Sequence, residues 1–139
     1  MLLKYTFLLI SIMSTSEKQI LTHLTIADFN TLQTNNPGLL LLKFGATWCR
    51  PCQTVDHIID AYFKYAPSNV LCAKLDIDDN MELYGYLKKR RVLNGIPVVL
   101  CYEIGNTEVM PTDSVTGASE REIALFFQRC NVLTQKIYR

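Results

Sequence analysis

Cys49-Arg50-Pro51-Cys52 places two thiols two residues apart, a spacing that serves two chemistries. As a redox pair, one thiolate attacks a disulfide and the second reaches back to resolve the mixed disulfide. As metal ligands, the two sulfurs would supply half of a zinc site. A four-thiolate site wants a second Cys-x-x-Cys, and the chain has none. Cys72, Cys101 and Cys130 lack ligand spacing, and His23 and His57 are isolated. The redox chemistry is therefore the expectation, with no metal site. It is strengthened by position, because Cys-x-x-Cys beside a βαβ pattern is the redox arrangement.

That position follows from the flanking elements. Leu39 to Phe44 is an apolar run broken only by Lys43, as in a central strand covered on both faces. Pro51 then suits the first turn of a helix, where a missing N–H costs little. That helix runs to about Tyr65 on Val55, Ile58, Ile59, Tyr62 and Phe63, and Pro67 stops it. A helix N-terminus stabilises the Cys49 thiolate through its unpaired N–H groups and its dipole. Arg50 adds positive charge, and Trp48 can shield the sulfur from bulk water.

Around this unit, Gln19 to Leu24 reads as an edge strand, and Thr25 to Asp28 as a capped helix start. Val70 to Ile77 is a second buried strand, and Met81 to about Arg91 a further helix. Pro97–Tyr102 and Thr107–Met110 flank Gly105-Asn106 and read as an antiparallel pair. A last helix starts at Ser119, with Glu122 completing a capping box and Cys130 on the apolar side. The order β-α-β-α-β-α-β-β-α predicts an α/β domain, a central mixed sheet with helices on both faces.

The chain of 139 residues suffices for one domain, 49% hydrophobic, 19% charged and with a net charge of +1. Near-neutrality argues against a general nucleic-acid binder. Lys88-Lys89-Arg90-Arg91 reads as a solvated helix end, its cations complementing the negative pole. Five cysteines cannot all pair within one chain; Cys72, Cys101 and Cys130 read as inert buried thiols. This scatter favours a reducing, cytoplasmic setting, since secreted domains of this size pair their cysteines. Residues 1–18 form an extension ahead of a domain at 19–139. Its apolar run from Tyr5 to Met13 is too short to span a bilayer but fits a signal-peptide core, cleaved near Ser16 or Glu17, or an uncleaved anchor; a disordered or loosely docked extension is the alternative.

Phe44-Gly45-Ala46-Thr47-Trp48-Cys49-Arg50-Pro51-Cys52 resembles the active-site stretch of the thioredoxin family. Lys74 to Asp78 is similar to that family's next central strand, Gly95-Ile96-Pro97 to its cis-proline loop, and Gly117 to the glycine before its last helix. The resemblance, over roughly Gln19 to Cys130, implies the thioredoxin fold and a protein-disulfide oxidoreductase without a bound cofactor. It implies Cys49 as the attacking thiol and Cys52 as the resolving one. Pro97 would be cis and face the disulfide, with the Ile96 backbone pairing to an extended substrate near Gly117. Partners would be disulfide-containing proteins and an electron donor, either a reductase or a small thiol. A secretory oxidase or isomerase, or a groove that binds peptides without turnover, are the alternatives.

Some residues depart from the family pattern. Lys43 stands where the family has a buried aspartate whose role is to relay a proton for the resolving cysteine. Family geometry sets Lys43 close to Lys74, so two ammonium groups would share a dry site. One is then expected to lose its proton easily or to turn to solvent. Either lysine could serve Cys52 as a neutral amine base or favour the thiolate. Gly45 replaces a tryptophan common in the family and is expected to leave open space beside the site.

Overall fold

Leu39–Gly45 is buried at all seven positions, which a strand achieves only when both faces are covered. In the computed structural model, which describes residues 18–137, this strand is the middle of a five-stranded sheet. The elements in chain order are β1 (Ile20–Leu21), α1 (Ile26–Thr34), β2 (Leu39–Gly45), α2 (Arg50–Tyr65) and β3 (Val70–Asp76). There follow α3 (Met81–Lys89), β4 (Val98–Glu103), β5 (Asp113–Thr116) and α4 (Glu120–Ile137). The strands lie in the order β1-β3-β2-β4-β5, with β1, β3 and β2 parallel and β4 and β5 antiparallel to their neighbours. The expected element order and mixed sheet are both present. The apolar stretch at Tyr5–Met13 lies outside the described residues.

Alternation along β2 divides the core in two. Leu39 and Leu41 join Val55, Ile59 and Phe63 of α2 and Phe126, Phe127 and Cys130 of α4. Leu40, Leu42 and Phe44 point the other way, into Phe29 of α1 and Leu83 and Leu87 of α3. The result is a helix–sheet–helix sandwich whose two apolar layers hold the sheet from both sides. Lys43 and Gly45 continue the row that faces α2.

Local chemistry explains the boundaries. At α1, Thr25 Oγ1 accepts from the Asp28 backbone N–H while Asp28 accepts from Thr25 N–H, the reciprocal box expected there. Ser119 Oγ likewise accepts from the Glu122 backbone N–H at the start of α4. β1 is shorter than the expected Gln19–Leu24. The buried Asn80 side chain takes Leu24 N–H and donates to Thr22 C=O, drawing the chain out of the ladder. α3 ends at Lys89, two residues early, because Arg91 adopts the left-handed conformation (φ 60°) that closes a helix. Lys88 to Arg91 are exposed, in keeping with a solvated helix end.

One expected strand is absent. Thr107–Met110 is a loop, and the partner of β4 is Asp113–Thr116, with Cys101 opposite Asp113. The turn after Glu103 forms at Gly105 (φ 84°), but the following carbonyls are taken by side chains. Gln33 Nε2 donates to Glu108 C=O at 2.7 Å, Tyr102 Oη to Val109 C=O at 2.7 Å, and Asn106 Nδ2 to Met110 C=O at 3.1 Å. With those carbonyls engaged, pairing starts only at the backbone bond from Thr112 N–H to Cys101 C=O.

Candidate active site

The end of β2, the first turn of α2 and the loop before β4 converge on one spot. Cys49 is the N-cap of α2, its extended backbone (φ −84°, ψ 106°) turning the chain into the helix, with Pro51 in the first turn. Cys49 and Cys52 are joined as a disulfide, with Cα atoms 5.3 Å apart. Cys49 Sγ also accepts a hydrogen bond from the Cys52 backbone N–H at 3.3 Å. The same N–H is placed to stabilise a thiolate at this position once the disulfide opens. Both cysteines are buried, with Ala46, Ile77 and Ile96 packed around them.

The rim is polar and acidic. Trp48 is 65% exposed, and its indole Nε1–H donates to Asp78 Oδ2 at 2.8 Å. Asp76 accepts from Thr47 N–H and from Asp78 N–H, and Gln53 Nε2 donates to Thr47 C=O. These bonds brace the loop that carries Trp48. Arg50 and Pro51 are exposed at the helix start. Across the sulfurs, the Ile96–Pro97 peptide is cis, as the resemblance implied. Gly117 (φ 97°) donates its N–H to Pro97 C=O at 2.9 Å, tying the end of β5 to this loop. The structure therefore assembles Trp48, Cys49, Cys52, Ile96, Pro97 and Gly117 in one place.

Lys43 and Lys74 need a correction. They are register neighbours on β2 and β3, as expected, yet they share no uncompensated site. Lys43 Nζ lies 2.8 Å from Asp56 Oδ1, and Lys74 Nζ lies 2.9 Å from Asp60 Oδ1. Asp56 and Asp60 are one helical turn apart on α2, so one face of that helix offers each lysine its own carboxylate. Each ammonium thus has a carboxylate of its own. Lys43 does not turn to solvent, for its side chain is only 4% exposed, but Lys74 does in part, at 37%, as expected of one of the two.

Gly45 also differs from expectation, since the space beside it is filled. A Cβ added there would fall 2.6 Å from Lys43 Nζ and 3.4 Å from Cys52 Sγ. The absent side chain is what leaves room for the ammonium next to the resolving sulfur. Asp56 and Asp60 were not singled out from sequence, although their spacing from Cys52, four and eight residues on, is the signal that puts them on its helix face.

Among the described residues no group of three or more His, Cys, Asp and Glu side chains could hold a metal ion. Cys72, Cys101 and Cys130 are free and buried within one core layer. Burial pushes the Cys72 thiol up to about 11, and the Cys101 thiol is raised by its neighbour Cys130 and by burial. All three are shut away from solvent, and neither Cys72 nor Cys101 is a nucleophile in the folded protein at neutral pH.

A parallel-antiparallel sheet with a Cys-x-x-Cys helix cap facing a cis-proline defines a thiol–disulfide oxidoreductase of the thioredoxin class. The thioredoxin family model matches residues 20–128, and the chain belongs to that family. It is 30% identical to a thioredoxin of Mycobacterium bovis over 115 residues, covering 81% of this chain and 90% of that one. It is 28% identical to a thioredoxin of Coprinus comatus over 103 residues, covering 73% and 89%. Among solved structures, Trichomonas vaginalis thioredoxin superposes with a TM-score of 0.61 at 25% identity, covering 78% of this chain and 96% of that one. Fasciola hepatica thioredoxin gives 0.61 at 26% identity, covering 81% and 98%. The Cys49/Cys52 pair is thus the redox centre of a protein-disulfide reductase acting on disulfide-containing proteins.

Proposed function

We propose that the chain reduces protein disulfides with Cys49 as the attacking thiolate and Cys52 as the resolving thiol. The observation that carries this division of roles is the N-cap position of Cys49, whose sulfur takes a helix N–H while Cys52 lies a turn inside the helix. Cys49 attacks one substrate sulfur, and the other leaves with the electron pair and takes a proton. Cys52 then attacks Cys49, closing the intramolecular disulfide and releasing the second substrate thiol. The substrate strand lies along Ile96 and Pro97, with Gly117 keeping the floor of that groove open. Electrons return from a reductase or a small thiol. A reducing, cytoplasmic setting agrees with the three free buried cysteines. No helix among the described residues is long and apolar enough to cross a membrane.

Insulin-disulfide reduction by the wild type and by Cys49→Ser tests the reading. Activity should be lost in the variant; equal activity in both would overturn the reading, and none above background in either would mean a peptide-binding groove without turnover.

A further inference from the structure

The ion pair beneath the disulfide has a consequence for Cys52 that rests on the oxidoreductase reading above. Lys43 Nζ and Cys52 Sγ both border the vacant Cβ position of Gly45, which puts them within about 6 Å of each other, a range over which opposite charges favour each other's ionised form. The Asp56 carboxylate comes no nearer to that position than the sulfur does. Lys43 is buried, so solvent screens its charge little. Of the other charges near this stretch of sheet, Lys74 pairs with Asp60, and Asp76, the register neighbour of Gly45, has its carboxylate oxygens taken by the Thr47 and Asp78 backbone N–H groups.

We propose that the Lys43 ammonium, clamped by Asp56, is a positioning residue that holds the resolving Cys52 as a thiolate in the mixed disulfide, where Cys49 carries no charge, and that it stabilises the single negative charge the two sulfurs share in the dithiol form. The role of a proton acceptor for Cys52 is then replaced by a fixed positive charge. In the resolving step the Cys52 thiolate attacks Cys49 sulfur. The Cys49–Cys52 bond forms as the bond from Cys49 to the substrate sulfur breaks, and that sulfur leaves with the electron pair and takes a proton from water. No proton has to leave Cys52 during the step. In the reverse direction, two-electron opening of the disulfide takes up one proton and leaves one negative charge shared by the two sulfurs.

Two variants change the field with opposite sign. Lys43→Met keeps the stem and removes the charge; Asp56→Asn keeps the shape and leaves the ammonium uncompensated. Equilibration with reduced and oxidised glutathione, read by thiol trapping and mass spectrometry, gives the potential. Ultraviolet absorbance of a Cys49→Ser background gives the Cys52 thiolate fraction. Lys43→Met should lower that fraction about tenfold and shift the glutathione equilibrium about tenfold towards the disulfide, near 30 mV for a two-electron couple. Asp56→Asn should move both readouts the other way. An unchanged equilibrium in Lys43→Met, or a shift of both variants in one direction, overturns the proposal while leaving the reductase reading intact. A wild type that never exchanges with glutathione overturns both.

Discussion

A single missing methyl group governs the electrostatics of this site. Gly45 has no Cβ, and its absence lets a buried ammonium stand beside the resolving sulfur. Gly45→Ala should therefore disturb chemistry more than stability. The atom in its way is the far end of a flexible lysine, which can shift, and alanine is no worse than glycine in a strand. We expect thermal stability within about 1 kcal/mol of wild type. The glutathione equilibrium should move several-fold in the direction of Lys43→Met; calorimetry paired with thiol trapping reads the two effects separately. At this scale Cys49, Cys52 and Trp48 were legible from sequence because their chemistry is local, a spacing and a helix start, whereas the cis Pro97 was implied only by the family resemblance. The partners of Lys43 and Lys74 were not legible, because they lie on a different element. Only the helical period of α2 connects Asp56 and Asp60 to the strands beneath.

At the scale of elements, the helix ends were readable and one strand was not. The Thr25/Asp28 box could be read because its two bonds lie within four residues. Thr25→Ala should cost about 1 kcal/mol, measured by urea unfolding. Asp28 itself is held below its usual value, chiefly by the Thr25 backbone N–H. Its contribution is present above the ordinary aspartate range and is lost as pH falls through the lowered folded value, so an Asp28→Asn variant should trail wild type at neutral pH and draw level with it in acid. β5 was not legible because DSVT buries only Val115, whereas the loop sequence TEVM directly follows the turn dipeptide Gly105-Asn106. The loop's carbonyls are claimed by Gln33, Tyr102 and Asn106, which are distant in sequence or committed to a turn. Packing between elements is steeper in energy. Phe126 is fully buried between Phe127 and the sheet, and Phe126→Ala should cost about 3–5 kcal/mol in the same unfolding assay.

For the whole molecule, burial of neutral acids sets an alkaline limit. Cys72 titrates near 11 in the fold against 9.0 when exposed, and burial raises Tyr62 and Tyr102 as well. A raised folded value means that stability is complete below the unfolded value. It is lost as pH climbs from there through the folded one, because the unfolded chain ionises first. Melting temperature should thus hold steady to about pH 9 and then fall towards pH 11. Cys72→Ala should start from a lower plateau, for want of packing, and fall less steeply. An equal slope in both would assign the alkaline loss to the tyrosines and Cys101. The helix–sheet–helix layering itself was legible from the strand-helix order. The segregation of three free thiols into one layer was not, because it depends on register across β3, β2 and β4.

The chain contains a single tryptophan, and it is the exposed residue next to the disulfide, anchored by one bond to Asp78. Its emission therefore has one source, and that source sits beside the bond that changes. The oxidation state of the protein can be followed by light from the unlabelled, unmodified chain, in real time and in mixtures whose other components lack indole. Loss of the Asp78 carboxylate would blur that signal by freeing the ring, while leaving the sulfur chemistry in place.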